Sequence, residues 1–141
     1  MKTILMSSLA SKHRWLHRGL CILVIGFLLG LAPSLQARPS NKWRLQFSGG
    51  AKTDGVITLR FQPKDGSPIV TETAIKKGTG ENAVAKAVVT SLKAQLPKDK
   101  FHIERDDGED VLVKKRFGKS DFDFEVVSIT VQGVRINPDR E

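Results

Sequence analysis

Residues 78–97 read GTGENAVAKAVVTSLKAQLP and form the one segment of the chain whose apolar residues repeat with clear helical spacing. They recur at steps of three and four, and so share one side of a helix. These residues are Val84, Ala85, Val88, Leu92 and Leu96. Thr79 or Gly80 can cap the first turn, and Pro97 cannot continue a helix. We therefore predict a single amphipathic helix that ends at Pro97.

The segments on both sides of this helix alternate between apolar and polar residues, which is typical of half-buried strands. Before the helix these segments are 41–47, 55–61 and a weaker 69–75; after it they are 101–104, 111–113 and 122–131, and 134–136 can add a short piece. The turn 106–109 contains Asp-Gly, which predicts a hairpin. Val126 and Val127 are adjacent and break the alternation, which predicts a β-bulge.

These elements predict an α+β fold: a small, mainly antiparallel sheet of about five strands, with the helix packed on one face. The order would be β-β-(β)-α-β-β-β, in which the strand in parentheses is the weaker one. In outline it resembles the small strand–strand–helix–strand–strand modules of phage tail and bacterial surface proteins. The resemblance lies in the arrangement alone and carries no motif.

The first 37 residues have the three parts of a secretory signal peptide. Basic residues come first, with no acidic residue among them; residues 20–32 carry no charge; and small residues lead to Ala37 and Arg38. We predict cleavage between Ala37 and Arg38, a single domain at 38–141, and export to the periplasm or outside the cell. The alternative is an uncleaved anchor, but the apolar run is shorter than the roughly 20 residues of a membrane span. Only in that case would the chain meet a membrane.

Composition and charge narrow the function classes. The chain has 141 residues, 40% of them apolar and 27% charged, which is globular composition. Four of its 23 basic residues and none of its 15 acidic ones lie in 1–37, so 38–141 carries 19 against 15 and a net charge of +4. The lone cysteine, Cys21, also lies in 1–37, which leaves 38–141 without a disulfide or a multi-cysteine metal site.

The residues of 38–141 offer little for catalysis. His102 is the one histidine there, and the strand pattern places it on the polar side beside Glu104. We therefore expect no enzyme, no cofactor and no metal. Four acidic residues crowd the predicted hairpin turn: Asp106, Asp107, Glu109 and Asp110. A solvated turn explains them; a calcium site or a small carboxylate-dependent hydrolase are the weaker alternatives.

The candidate binding residues are four cations around one aromatic residue, Phe117: Lys114, Lys115, Arg116 and Lys119. Such a group can hold a polyanion, either lipopolysaccharide or an acidic glycan. A charged sheet edge is the plainer alternative. Lys42 and Arg44 would extend the patch if their strand were its neighbour. Nucleic acid is disfavoured, because the acidic turn directly precedes the basic run and the chain is predicted to be exported.

Together these observations predict an exported, non-enzymatic binding or structural module of the bacterial cell envelope. It would act by contact with a protein or another envelope component. Polyanion binding is the alternative function.

Overall fold

The computed structural model describes residues 38–141. The predicted signal peptide, including Ala37 at the predicted cleavage site, therefore lies outside the described residues. The elements are β1 (Lys42–Ser48), β2 (Gly55–Pro63), β3 (Ile69–Ile75), α1 (Glu81–Gln95), β4 (Phe101–Asp106), β5 (Asp110–Lys115), β6 (Phe122–Ile129) and β7 (Arg135–Arg140). Within 38–141 no helix is long and apolar enough to cross a membrane.

The strands form two sheets in which every pairing is antiparallel. One has the order β4-β5-β1-β7 and the other β3-β2-β6. The predicted mainly antiparallel α+β fold with one helix is confirmed. The prediction of a single sheet of about five strands in the order β-β-(β)-α-β-β-β is wrong, since the described residues form seven strands in two sheets, in the order β-β-β-α-β-β-β-β. Alternation shows which side of a strand is buried but not which strand is its neighbour.

The last strand explains part of the wrong strand count. Residues 134–136 were expected to add only a short piece, yet β7 continues through Pro138 to Arg140. Proline lacks a backbone N–H and is tolerated on an edge strand. In β7, which pairs only with β1, Pro138 lies opposite Leu45.

The inner faces of the two sheets share one core. The ring centroid of Phe61, in the three-stranded sheet, lies 6.0 Å from that of Phe101 in the four-stranded sheet. The ring centroids of Phe124 and Trp43 likewise face each other across the sheets at 5.8 Å. The indole N–H of Trp43 donates to the Phe122 carbonyl at 3.1 Å. Ser40 and Phe122 exchange two backbone hydrogen bonds of 3.0 Å, which join the sheets at this corner.

The helix α1 contacts strands of both sheets, namely β3 of one and β1, β4 and β5 of the other. Its predicted apolar residues are all buried, and Val89 joins them. Gly80 is the N-cap and has no side chain to bond the first turn, while the Thr79 hydroxyl donates instead to the Lys76 carbonyl at 2.7 Å. The helix ends at Gln95, two residues before Pro97.

The predicted bulge is present in β6. Thr58 pairs with Ser128 and Leu59 with Val126, so Val127 is left out of the ladder and is half exposed. The extra residue restores the phase in which apolar side chains face the core, since Val131 beyond the bulge is buried again.

Candidate functional site

Three chain connections meet at one end of the two sheets, namely β2–β3, α1–β4 and β5–β6. The backbone N–H of Lys64, after β2, donates to the Asp121 carbonyl at 3.0 Å, and the N–H of Arg116, after β5, donates to the Lys100 carbonyl at 2.8 Å. The Ser120 hydroxyl bonds the Asp65 carboxylate. We call this cluster the basic end and define it as residues 64–66, 97–100 and 115–121.

The basic end holds most of the excess positive charge of residues 38–141. It contains six cations, Lys64, Lys98, Lys100, Lys115, Arg116 and Lys119, and three acids, Asp65, Asp99 and Asp121. Its net charge is therefore +3, out of +4 for residues 38–141. The positive charge is concentrated at one end of the fold rather than spread over it.

The four cations predicted from the sequence differ in their ion-pair partners, although Lys114, Lys115 and Arg116 line one surface depression. Lys114 lies within β5 and pairs with Glu104 on the outer face of the four-stranded sheet. Lys115 Nζ lies 2.9 Å from Asp121 Oδ1, and Lys119 Nζ lies 3.4 Å from Asp99 Oδ2. The alternative of a charged sheet edge is wrong for Lys114 and Lys115, because β5 lies between β4 and β1.

Arg116 differs from the other three. Its Nε donates to the Lys98 carbonyl at 2.6 Å, and no carboxylate oxygen of residues 38–141 lies within salt-bridge distance of its guanidinium. The same is true of Lys98 and Lys100 within the described chain. The two hydrogen bonds from Arg116 to the carbonyls of residues 98 and 100 hold Arg116 against the backbone of this connection, so the three cationic residues are neighbours. They are the cations of the basic end that have no carboxylate of 38–141 within salt-bridge distance.

Sequence reasoning missed Lys98 and Lys100 because they lie on a different connection from Arg116. In the sequence, Lys98 is explained by its place just after the helix, where cations interact favourably with the helix dipole. A signal was nevertheless present: Lys98-Asp99-Lys100 directly follows the helix-ending Pro97, so both lysines had to lie on a turn.

Phe117 projects from a tight turn in the middle of these cations. The N–H of Lys119 donates to the Arg116 carbonyl at 3.1 Å, and Gly118 at the third position has a φ of 74°. A positive φ there is what a type II turn requires. Phe117 sits at the second position and is fully exposed, unlike the other phenylalanines of 38–141, which are all buried.

A small cleft adjoins this turn. It is lined by Lys100, Lys119, Ser120, Asp65, Pro63 and Phe101. The hydrogen bond from the Ser120 hydroxyl, supported by the charges of Lys100 and Lys119, lowers the pKa of Asp65. Asp65 therefore stays ionised and offsets part of the positive charge in the cleft.

Lys42 adjoins the basic run, since it lines one surface depression with Lys114, Lys115, Arg116 and Phe117, whereas Arg44 does not line it. Lys42 lies opposite Lys114, and both Lys42 and Arg44 bind the Glu141 carboxylate. The guanidinium of Arg44 also reaches Asp110 at 2.8 Å and Asp106 at 3.1 Å. The hydrogen bonds that Arg44 donates to Glu141 and Asp110 raise the pKa of Arg44 above its ordinary value.

The acidic turn is explained by Arg44. Asp106 and Asp110 converge on its guanidinium rather than on an open cleft, and within 38–141 no group of three or more His, Cys, Asp or Glu residues could hold a metal ion. The turn and the basic end lie at opposite ends of β5. The acidic residues therefore do not neutralise the basic run, and the sequence adjacency cited against nucleic acid does not hold in space.

His102 is exposed on the polar side of β4, as its strand pattern predicts. Its Nε2 lies 3.1 Å from Glu104 Oε2. Hydrogen bonds with Lys114 and then His102 lower the pKa of Glu104, so this carboxylate is already engaged by an ammonium group and an imidazole.

No protein-family model matches the sequence, and no curated protein matches it either. The function is therefore inferred from the geometry and charge of the described residues.

Proposed function

We propose that residues 38–141 form a non-enzymatic module that binds a polyanionic component of the cell envelope through its basic end. Lys98, Lys100 and Arg116 carry this proposal, because Arg116 is hydrogen-bonded to the backbone of residues 98 and 100 and no carboxylate of the described chain pairs with any of the three. Lipopolysaccharide and acidic glycans are polyanions of this kind. A ligand phosphate or carboxylate would take the place that a protein carboxylate leaves open.

The distribution of charge supports this orientation of binding. The basic end and the acidic turn at 106–110 are separated by the length of β5, which is about 20 Å for six residues. A negatively charged surface would orient such a molecule so that its basic end faces the surface. Encounter with a polyanion would therefore deliver the three cations first.

The absence of catalysis and the export of the chain are parts of the same proposal. Asp106 and Asp110 are engaged by Arg44, and His102 is exposed beside Glu104, which supports a binding role over acid–base chemistry. Export rests on the pattern of residues 1–37, with periplasmic or secreted location and cleavage between Ala37 and Arg38. The intact mass of the exported product tests it: a chain that begins at Arg38 supports the proposal, and one that retains residues 1–37 contradicts cleavage.

The binding test uses the fragment 38–141, which contains the whole described core within one compact unit. We expect it to bind immobilised heparin and lipopolysaccharide, and to elute at lower salt once Lys98, Lys100 and Arg116 are changed to Gln. The matched control changes Lys52, Lys86 and Lys93 to Gln: these cations are exposed, lie outside the basic end and have no salt-bridge partner in 38–141. Both triple variants lose the same charge. Equal elution of the two would contradict the proposal.

A further inference from the structure

We propose that the anionic component is a lipid surface, and that Phe117 enters its apolar layer while the surrounding cations contact the headgroups. This inference rests on the proposed function and adds to it the class of ligand. It also differs from the expectation that the chain meets a membrane only through residues 1–37. The observation behind it is a fully exposed phenylalanine held at the tip of a cationic turn.

The turn holds Phe117 away from the core. The hydrogen bond from Lys119 to Arg116 closes the turn, and two hydrogen bonds from Arg116 fix its base to residues 98 and 100. The phenyl ring is therefore presented to solvent by the backbone. A soluble glycan offers no apolar phase for such a ring, whereas the boundary between headgroups and acyl chains does.

The charges around Phe117 fit an anionic leaflet. Arg116 directly precedes Phe117 and Lys119 lies two residues after it. Lys98 and Lys100 lie on the adjoining α1–β4 connection. Each Lys or Arg near an anionic membrane surface strengthens binding by about fivefold. The three cations without a carboxylate partner would together contribute roughly a hundredfold.

The test measures binding of the fragment 38–141 to vesicles of phosphatidylcholine with and without phosphatidylglycerol. We expect binding only when phosphatidylglycerol is present. Phe117→Ala should weaken it by about tenfold and change heparin elution little. Val127→Ala, which removes an exposed apolar side chain in the bulge of β6, is the control and should bind vesicles as the parent does.

A second measurement reports where residue 117 lies. In a Phe117→Trp variant the emission should shift to the blue and be quenched by brominated acyl chains when anionic vesicles are added. Trp43 is buried and is the one other tryptophan of 38–141, so it gives a constant background. A Val127→Trp variant should give no shift.

The possible results separate the two proposals. If the parent fragment binds heparin and anionic vesicles, but Phe117→Ala binds vesicles equally well or the emission of the Phe117→Trp variant stays unchanged, the lipid inference is overturned and the polyanion proposal stands. If the fragment binds heparin but no vesicles, the lipid inference is again overturned. If it binds neither, the proposed function fails and the inference fails with it.

Discussion

Arg44 is the residue on which the polar outer face of the four-stranded sheet depends. Its side chain binds three carboxylates, of which Asp110 is buried and has one oxygen, Oδ1, without a hydrogen-bond partner within residues 38–141. Lys42 adds a second cation to the same Glu141. A buried carboxylate that loses its cationic partner is costly to the folded state.

We therefore predict that Arg44→Ala lowers the free energy of unfolding by more than the loss of a surface ion pair does, because it leaves the Asp110 carboxylate without its cation. Urea denaturation of the fragment 38–141 measures this. Arg60→Ala is the control, because Arg60 pairs with Glu125 at 2.8 Å while both side chains are about half exposed. Such a surface pair should contribute about 0.5 kcal/mol or less. Equal losses in the two variants would contradict the role given to Arg44.

Asp123 is a residue whose charge opposes folding. Its Oδ1 is buried and has no hydrogen-bond partner among the described residues, and burial raises the pKa of Asp123 despite the nearby Lys64 and Arg140. Between its unfolded and folded pKa values the folded state binds more protons. The contribution of Asp123 to stability is therefore most favourable in acid and is lost as pH rises through the folded pKa.

Asp123→Asn should accordingly raise the free energy of unfolding by about 1 kcal/mol at neutral pH. Because only the parent protein has a carboxyl at this position to protonate, the advantage of the variant should shrink as the pH falls toward the ordinary pKa of aspartate, 3.8. Urea denaturation of both proteins across this range tests the prediction. An advantage that grows on acidification would have the wrong sign.

At the scale of elements, α1 protects the open edge of β3. Gln95 Nε2 donates to the Glu72 carbonyl at 2.8 Å, the Glu72 N–H donates to Gln95 Oε1 at 3.0 Å, and the Ser91 hydroxyl donates to the same carbonyl at 2.9 Å. The helix thus occupies the backbone groups in the middle of an edge strand. Unpaired groups at such an edge are a template for association with another chain.

Gln95→Ala removes two of these three hydrogen bonds. We expect a loss of about 1–2 kcal/mol in the free energy of unfolding, together with a concentration-dependent oligomer in sedimentation or size-exclusion experiments. Lys86→Ala, an exposed position on the same helix, is the control and should change neither measurement appreciably. A Gln95→Ala variant as stable and monomeric as the control would remove the protective role.

The elements were largely predictable from the sequence, whereas their neighbours were not. The alternation of apolar and polar residues located the strands, and apolar residues at steps of three and four located α1. Both patterns report which side of an element is buried. The separation of β1 and β2 into different sheets left no local mark, since strand pairing depends on distant partners. The length of β7 was underestimated because Pro138 argues against a strand unless its edge position is known.

At the scale of the whole molecule, the same limit applied to the candidate site. The sequence located the cluster of charge around Phe117, but Arg116 meets Lys98 and Lys100 only because the α1–β4 and β5–β6 connections lie at one end of the fold. It likewise placed the acidic turn next to the basic run, while β5 holds them apart. Proximity in space, which the chain order does not report, decides which cations are available.

The central claim is that binding occurs at the basic end, and chemical-shift mapping tests it most directly. Backbone amide spectra of the fragment 38–141 would be recorded during titration with a heparin oligosaccharide. We predict that the largest shifts fall in residues 64–66, 97–100 and 115–121, while the acidic turn at 106–110 stays unchanged. Shifts centred elsewhere on the fold, or no shifts at ligand excess in low salt, would contradict the account.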